Sequence, residues 1–157
     1  MMNHSESAPI PAPVIATIPA RMLVIDDEPA ELQLLTDYLQ DYDFALSLAG
    51  TGAEGLARAR RERPDLVILD LHMPPPNGFA VLEQLKATPA TAAIPVLVLS
   101  GRSDVDSRVR SFELGAADYI PKPVHEAELR ARIVAHLNNA QLRVALQRRL
   151  RAYEARF

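Results

Sequence analysis

The chain has 157 residues, no cysteine and a net charge of −3, and 48% of its residues are hydrophobic. That is enough apolar sequence for one packed domain with some appended chain, so a disordered protein, disulfides, thiolate metal sites and cysteine nucleophiles are excluded, and the small charge gives no bulk reason to expect nucleic acid. No run approaches the roughly 18 apolar residues of a membrane span, and the start lacks the basic residues of a signal peptide, so a cytoplasmic protein with no membrane partner is expected.

Residues 1–20 are rich in Pro, Ala and Ser without periodicity and are expected to form a flexible leader. Residues 22–25 are an apolar run ending in acid, as in a buried parallel strand. Leu32, Leu35 and Leu39 then recur at helical spacing within residues 30–40. Residues 45–49 are a weaker strand, and residues 53–63 a helix closed by Pro64. Residues 66–69 form a strong strand that ends on Asp70. Pro74, Pro75 and Pro76 lack backbone donors and force a loop. Asn77 is placed to cap the next helix, with Phe79, Leu82 and Leu85 on its inner face. Residues 95–99 are a fourth strand, ending on Ser100. Residues 104–114 read as a helix with Val105, Val109 and Phe112 inward and Gly115 as its stop. Tyr119 and Ile120 form a short fifth strand before Pro121-Lys122-Pro123, and a long helix starts near His125 with Leu129, Ile133 and Leu137 facing the sheet.

Strands alternating with helices predict an α/β fold, a doubly wound parallel sheet covered on both faces. Ligands of such sheets sit at the carboxyl ends of the strands, which singles out Asp26, Asp27, Asp70, Ser100 and Lys122. Three carboxylates meeting at one sheet edge repel one another and call for a cation. All-oxygen ligands with retained water suit Mg²⁺. A carboxylate can attack phosphorus once the developing charge is neutralised, and Lys122 could share that task with the metal. A solvated acid pair or helix cap would equally account for Asp26-Asp27 alone, a strand-end cap for Asp70, a surface lysine for Lys122 and a turn residue for Ser100.

Taken together, the residues resemble the response-regulator receiver domains of two-component signalling, a CheY-like superfamily. The resemblance lies in Leu23-Val24-Ile25-Asp26-Asp27-Glu28-Pro29, in Asp70-Leu71-His72-Met73-Pro74 with Gly78, in Leu99-Ser100-Gly101, and in the run from Gly115 to Pro123. It covers about residues 21–137 and implies a flavodoxin-like five-stranded sheet of order 2-1-3-4-5 with an extended C-terminal helix. It further implies that Asp70 is the phosphoacceptor. Asp27 and Asp70 would contact Mg²⁺ directly, Asp26 largely through water, and the backbone carbonyl of His72 would supply another ligand without need of its imidazole, while the His72 and Arg102 side chains, two positions past Asp70 and Ser100, would tune the lifetime of the phosphoryl group. Lys122 would pair with the phosphoryl group and the acids, and the Lys122-Pro123 bond would be cis. Ser100 and Tyr119 would be the switch pair, Ser100 moving to the phosphoryl group and Tyr119 rotating inward. A sensor histidine kinase or phosphotransfer protein would donate the phosphoryl group, and the only reactions catalysed would be the receiver's own phosphotransfer and autodephosphorylation.

A flavodoxin-type cofactor binder would need phosphate-holding donors after its first strand, where this chain has Asp26-Asp27-Glu28. An Asp-nucleophile phosphatase would carry its acids two positions apart on the first strand, and nucleotide-binding fingerprints are absent. Residues 138–157 form a C-terminal helical extension. They are too few for a helix-turn-helix output, and Arg143, Arg148, Arg149, Arg151 and Arg156 read as a solvated face, so no nucleic acid partner is expected from this chain alone. Leu142, Leu146, Leu150, Tyr153 and Phe157 make a stripe with no receiver core to cover, which points to a homodimer through this helix. The alternative is the N-terminal receiver part of a longer regulator, with a cyclic-dinucleotide enzyme, kinase or DNA-binding output.

Overall fold

The computed structural model describes residues 20–40, 42–102 and 104–155. Five strands alternate with five helices: β1 Ala20–Ile25, α1 Pro29–Leu39, β2 Phe44–Ala49, α2 Gly52–Glu62, β3 Leu66–Asp70, α3 Gly78–Ala87, β4 Val96–Ser100, α4 Val105–Glu113, β5 Asp118–Pro121 and α5 Glu126–Glu154. All strand pairs are parallel and the order is β2-β1-β3-β4-β5, as expected. The predicted leader falls on residues outside the described ones, except Ala20. That residue begins β1 and pairs with Phe44.

Every residue of β3 and β4 is buried, which is why both read as unbroken apolar runs. Their side chains alternate between two cores. Leu23, Ile25, Val67, Leu69, Val96 and Val98 join Leu56, Phe79, Leu82 and Leu85 on the face covered by α2 and α3. Met22, Val24, Leu66, Ile68, Leu97 and Leu99 join Leu35 and Leu39 of α1 and Leu129, Ile133 and Leu137 of α5 on the other.

The helix ends follow local chemistry. Thr51 caps α2 by accepting from the Glu54 amide at 3.1 Å, and Asn77 caps α3 by accepting from the Ala80 amide at 3.0 Å. Gly115, just past α4, has φ +103° and supplies the expected stop.

The expected inner face of α4 is a correction. Val105, Val109 and Phe112 are exposed, and the residue buried from this helix is Ser111. A periodic apolar stripe marks a face without saying which way it turns. Ser111 is small and returns its hydroxyl to the Arg108 carbonyl at 2.8 Å, so it reaches the core without an unsatisfied polar group. Helix α5 runs 29 residues, about 44 Å at 1.5 Å per residue. Its last buried residue is Leu137, and from there Leu142, Leu146, Leu150 and Tyr153 stand exposed. Phe157, the end of the predicted stripe, lies outside the described residues.

Candidate functional site

The parallel register brings the carboxyl ends of β1, β3, β4 and β5 to one edge. Asp70 pairs with Leu99 and Ser100 with Pro121, so Asp70, Ser100 and Lys122 emerge side by side. Asp26 follows β1 and is locked to β2 by its amide, which donates to the Ala49 carbonyl at 3.1 Å. Gly78 holds the far side. A Cβ there would lie 2.3 Å from the Asp70 carbonyl oxygen and 2.4 Å from Leu71 Cα, so α3 begins against the backbone that carries Asp70 only because this residue has no side chain.

Asp26, Asp27 and Asp70 each offer a carboxylate oxygen within 4.8 Å of the other two. Asp26 and Asp70 are buried. Burial pushes the Asp26 carboxyl up to about 6, against the Glu28 amide and Lys122, which favour its charge. Burial raises Asp70 as well, opposed by Lys122 and by the His72 amide, which donates to Asp70 Oδ1 at 3.3 Å. Asp26 Oδ2 and Asp27 Oδ1 are buried with no hydrogen-bond partner. Buried oxygens of this kind are costly unless something else satisfies them. A divalent cation would do so, and all-oxygen donors of this charge suit Mg²⁺.

Lys122 Nζ stands 3.6 Å from Asp26 Oδ2, 3.6 Å from Asp70 Oδ1 and 3.6 Å from Glu31 Oε1. Burial alone would lower its pKa; the surrounding carboxylates outweigh it and raise the lysine above its ordinary value. The Lys122-Pro123 peptide is cis, as the resemblance implied, and the Pro75-Pro76 peptide is cis too.

Ser100 is fully buried, and its hydroxyl donates to the Arg102 carbonyl at 3.0 Å. Tyr119 is buried in the core and its hydroxyl donates to the same carbonyl, so both residues of the expected switch share one anchor and the tyrosine ring is already inside. His72 places Nε2 3.0 Å from Ser100 Oγ. The imidazole, set aside as a metal ligand, therefore touches the switch serine. Sequence reasoning passed over Glu31, whose place in the first turn of α1 looks like an ordinary helix-start acid. The position of His72, two residues beyond Asp70, marks its side chain in the sequence; nothing marks Glu31.

Comparison with known proteins agrees with this geometry. The family model for the response regulator receiver domain matches residues 22–134. The chain is 39% identical to protein PilH of Pseudomonas aeruginosa over 110 residues, 70% of this chain and 91% of PilH. It is 44% identical to the transcriptional regulatory protein PrrA of Mycobacterium tuberculosis over 117 residues, 74% of this chain and 49% of PrrA. It is 38% identical to the DNA-binding response regulator MtrA of Mycolicibacterium smegmatis, covering 77% of this chain and 52% of MtrA. The match thus spans nearly all of PilH but about half the length of the two longer regulators. Among solved structures, a CheY-like receiver domain protein from Methanospirillum hungatei superposes with a TM-score of 0.75 at 26% identity, covering 80% of this chain and 98% of that one. The receiver domain of a signal transduction histidine kinase from Syntrophus aciditrophicus superposes with a TM-score of 0.71 at 32% identity, covering 76% and 91%. A doubly wound sheet with three acids, a lysine and a buried serine at its carboxyl edge is thus accounted for: the chain belongs to the response regulator receiver domain family and is a receiver of phosphorelay signalling.

Proposed function

We propose that Asp70 accepts the phosphoryl group and that Asp26, Asp27, Asp70 and the His72 carbonyl hold Mg²⁺. The family interacts with histidine kinases and phosphotransfer proteins, and the donor here would be the phosphohistidine of one of them. The observation that carries the reading is the pair of buried carboxylate oxygens without a hydrogen bond beside Asp70, with Lys122 3.6 Å from both Asp26 Oδ2 and Asp70 Oδ1. An Asp70 carboxylate oxygen bonds to phosphorus as the P–N bond to the donor imidazole breaks. The electron pair of that bond stays on the imidazole nitrogen, which takes a proton from solvent. Bound Mg²⁺ would neutralise charge on the phosphoryl oxygens. Lys122 supplies a second cation from 3.6 Å away. Water attacking the same phosphorus would return Asp70 to its free form, so the chain's own chemistry is phosphotransfer and autodephosphorylation. Ser100 leaves the Arg102 carbonyl and His72 to reach the phosphoryl group, and the loop that Tyr119 shares with it moves in response.

The output surface we assign is α5. In a heptad frame Leu146 and Tyr153 take d and Leu150 takes a, and Arg149 at g faces Glu154 at e of a second parallel copy; Arg143 takes the preceding a and Leu142 a g, so it is residues 146–154 that support a homodimer. An attached output module is the second reading, favoured by regulators of about twice the matched length. Among the described residues no helix is long and apolar enough to cross a membrane.

The test is covalent. With Mg²⁺ and acetyl phosphate, intact mass should show one added phosphoryl group on the wild type and none at that position in Asp70→Asn. An Asp70→Asn protein labelled to the same extent as the wild type, or labelling that ignores Mg²⁺, would overturn the reading.

A further inference from the structure

Lys122 has three carboxylates around it, and one of them comes from outside the strand ends. Glu31 lies in the first turn of α1, three residues after the N-cap Glu28. An acid at that position commonly folds back onto the N-cap amide. Here the Glu28 amide is taken by Asp26 Oδ1 at 3.0 Å, and the Glu31 carboxylate instead faces Lys122 at 3.6 Å. Both side chains are largely buried, 19% exposed each, so the attraction is screened less than that of a surface pair.

We propose that Glu31 is a positioning residue for Lys122, holding its ammonium off the Asp26–Asp70 pair and so keeping those carboxylates open to a divalent cation. This rests on the reading of Asp26, Asp27 and Asp70 as the Mg²⁺ site. An ammonium attracted by Asp26 and Asp70 alone would settle between them, where it competes for the oxygens a metal needs. The equal separations of 3.6 Å show a third pull of the same reach from the α1 side. Glu31 is not among the three acids whose oxygens converge within 4.8 Å, so it acts through the lysine and not as a ligand. Phosphorylation sharpens its role. Asp70 would then carry the acyl phosphate, Asp26 and Asp27 would remain to hold the metal, and Lys122 would be shared between the phosphoryl oxygens and Glu31.

The experiment is a double-mutant cycle read by Mg²⁺ titration in NMR, on the full chain without phosphate: wild type, Glu31→Gln, Lys122→Met and the double variant, with Asp27→Ala alongside. Glu31→Gln keeps the shape and removes the charge. It should weaken Mg²⁺ binding about three- to tenfold, and in the Lys122→Met background the loss should shrink below about twofold. In metal-free protein the Lys122 ε-methylene resonance should shift in Glu31→Gln. Unchanged affinity in Glu31→Gln, or the same loss with Lys122 absent, overturns the positioning role while leaving the metal site standing. Mg²⁺ affinity unaffected by Asp27→Ala overturns the metal site itself, and the proposal with it.

Discussion

Just past the end of β1, Asp26 Oδ2 and Asp27 Oδ1 are buried without a hydrogen bond, while along the second half of α5 Leu142, Leu146 and Leu150 stand 56–59% exposed. One region hides polar atoms and the other displays apolar ones. In both, the isolated chain carries a local cost that a second body would remove, and the two bodies are of opposite chemistry: a hard cation for the carboxylates, an apolar helix for the leucines. The first half of α5 shows what the second half lacks. Leu129, Ile133 and Leu137 have the sheet beneath them; the extension has the same residue types at similar spacing and no sheet.

The sharpest way to break that contrast is within one helix. Ile133→Ala removes a fully buried side chain from the α5 core and should cost about 2–5 kcal/mol of stability. Leu146→Ala should change monomer stability by no more than about 0.5 kcal/mol. It should instead lower self-association, read by sedimentation of the full chain. Equal destabilisation by both, or monomers at tens of micromolar for the wild type with and without a phosphoryl mimic, would show that the exposed stripe is not a dimer surface.

The acid pocket makes a test of its own. In metal-free protein the Asp26 carboxyl sits at about 6 against an ordinary 3.8. Between those values the native state holds a proton that the unfolded chain has released. Stability therefore falls as pH rises from about 4 to about 6 and levels off above, for a total on the order of 3 kcal/mol. Asp26→Asn should reduce that slope in denaturant titrations with chelator to the part due to Asp70, which burial also raises, and leave the metal-free protein more stable at pH 7. Asp118 runs the other way. Burial opposes its charge, but hydrogen bonds from Arg132 at 2.7 Å and His136 at 3.0 Å hold its pKa below the ordinary value. It lends stability above about pH 4 that is lost on acidification. An Asp26→Asn protein that loses as much stability between pH 4 and 6 as the wild type would remove the distinction between an acid that burial raises and one that its hydrogen bonds hold down.

These cases also show what was legible beforehand. The apolar runs of β3 and β4 announce strands because both faces of those strands are covered, and the acids that follow them mark the sheet edge. Asn77 and Gly115 could be placed because their roles are local: a cap bond to the third residue onward and a backbone with φ +103°. Glu31 and the His72–Ser100 contact could not, because each depends on which side chains the fold sets opposite one another across 91 and 28 positions of sequence (122 − 31 and 100 − 72). Short-range periodicity carries no such information.

Helix α4 gives the smallest expected effect and the most direct lesson. Its spacing of Val105, Val109 and Phe112 marks an apolar stripe, yet the stripe faces out and Ser111 faces in. Arg110 reaches away from the stripe to lie 4.2 Å over the Phe79 ring, covering part of α3. Helical spacing fixes which residues share a face, but a helix with one small inward residue can approach the sheet closely, and its apolar face is then free to serve another surface. Val105→Ser, at a position 61% exposed, should change unfolding free energy by less than about 0.5 kcal/mol. Ser111→Leu adds bulk to a fully buried, internally bonded position, and should cost about 1–3 kcal/mol. Chemical denaturation of the two single variants decides the matter. If the serine substitution at Val105 were the more damaging of the two, α4 would be packed by its apolar stripe after all, and its outward face would not be available for contact.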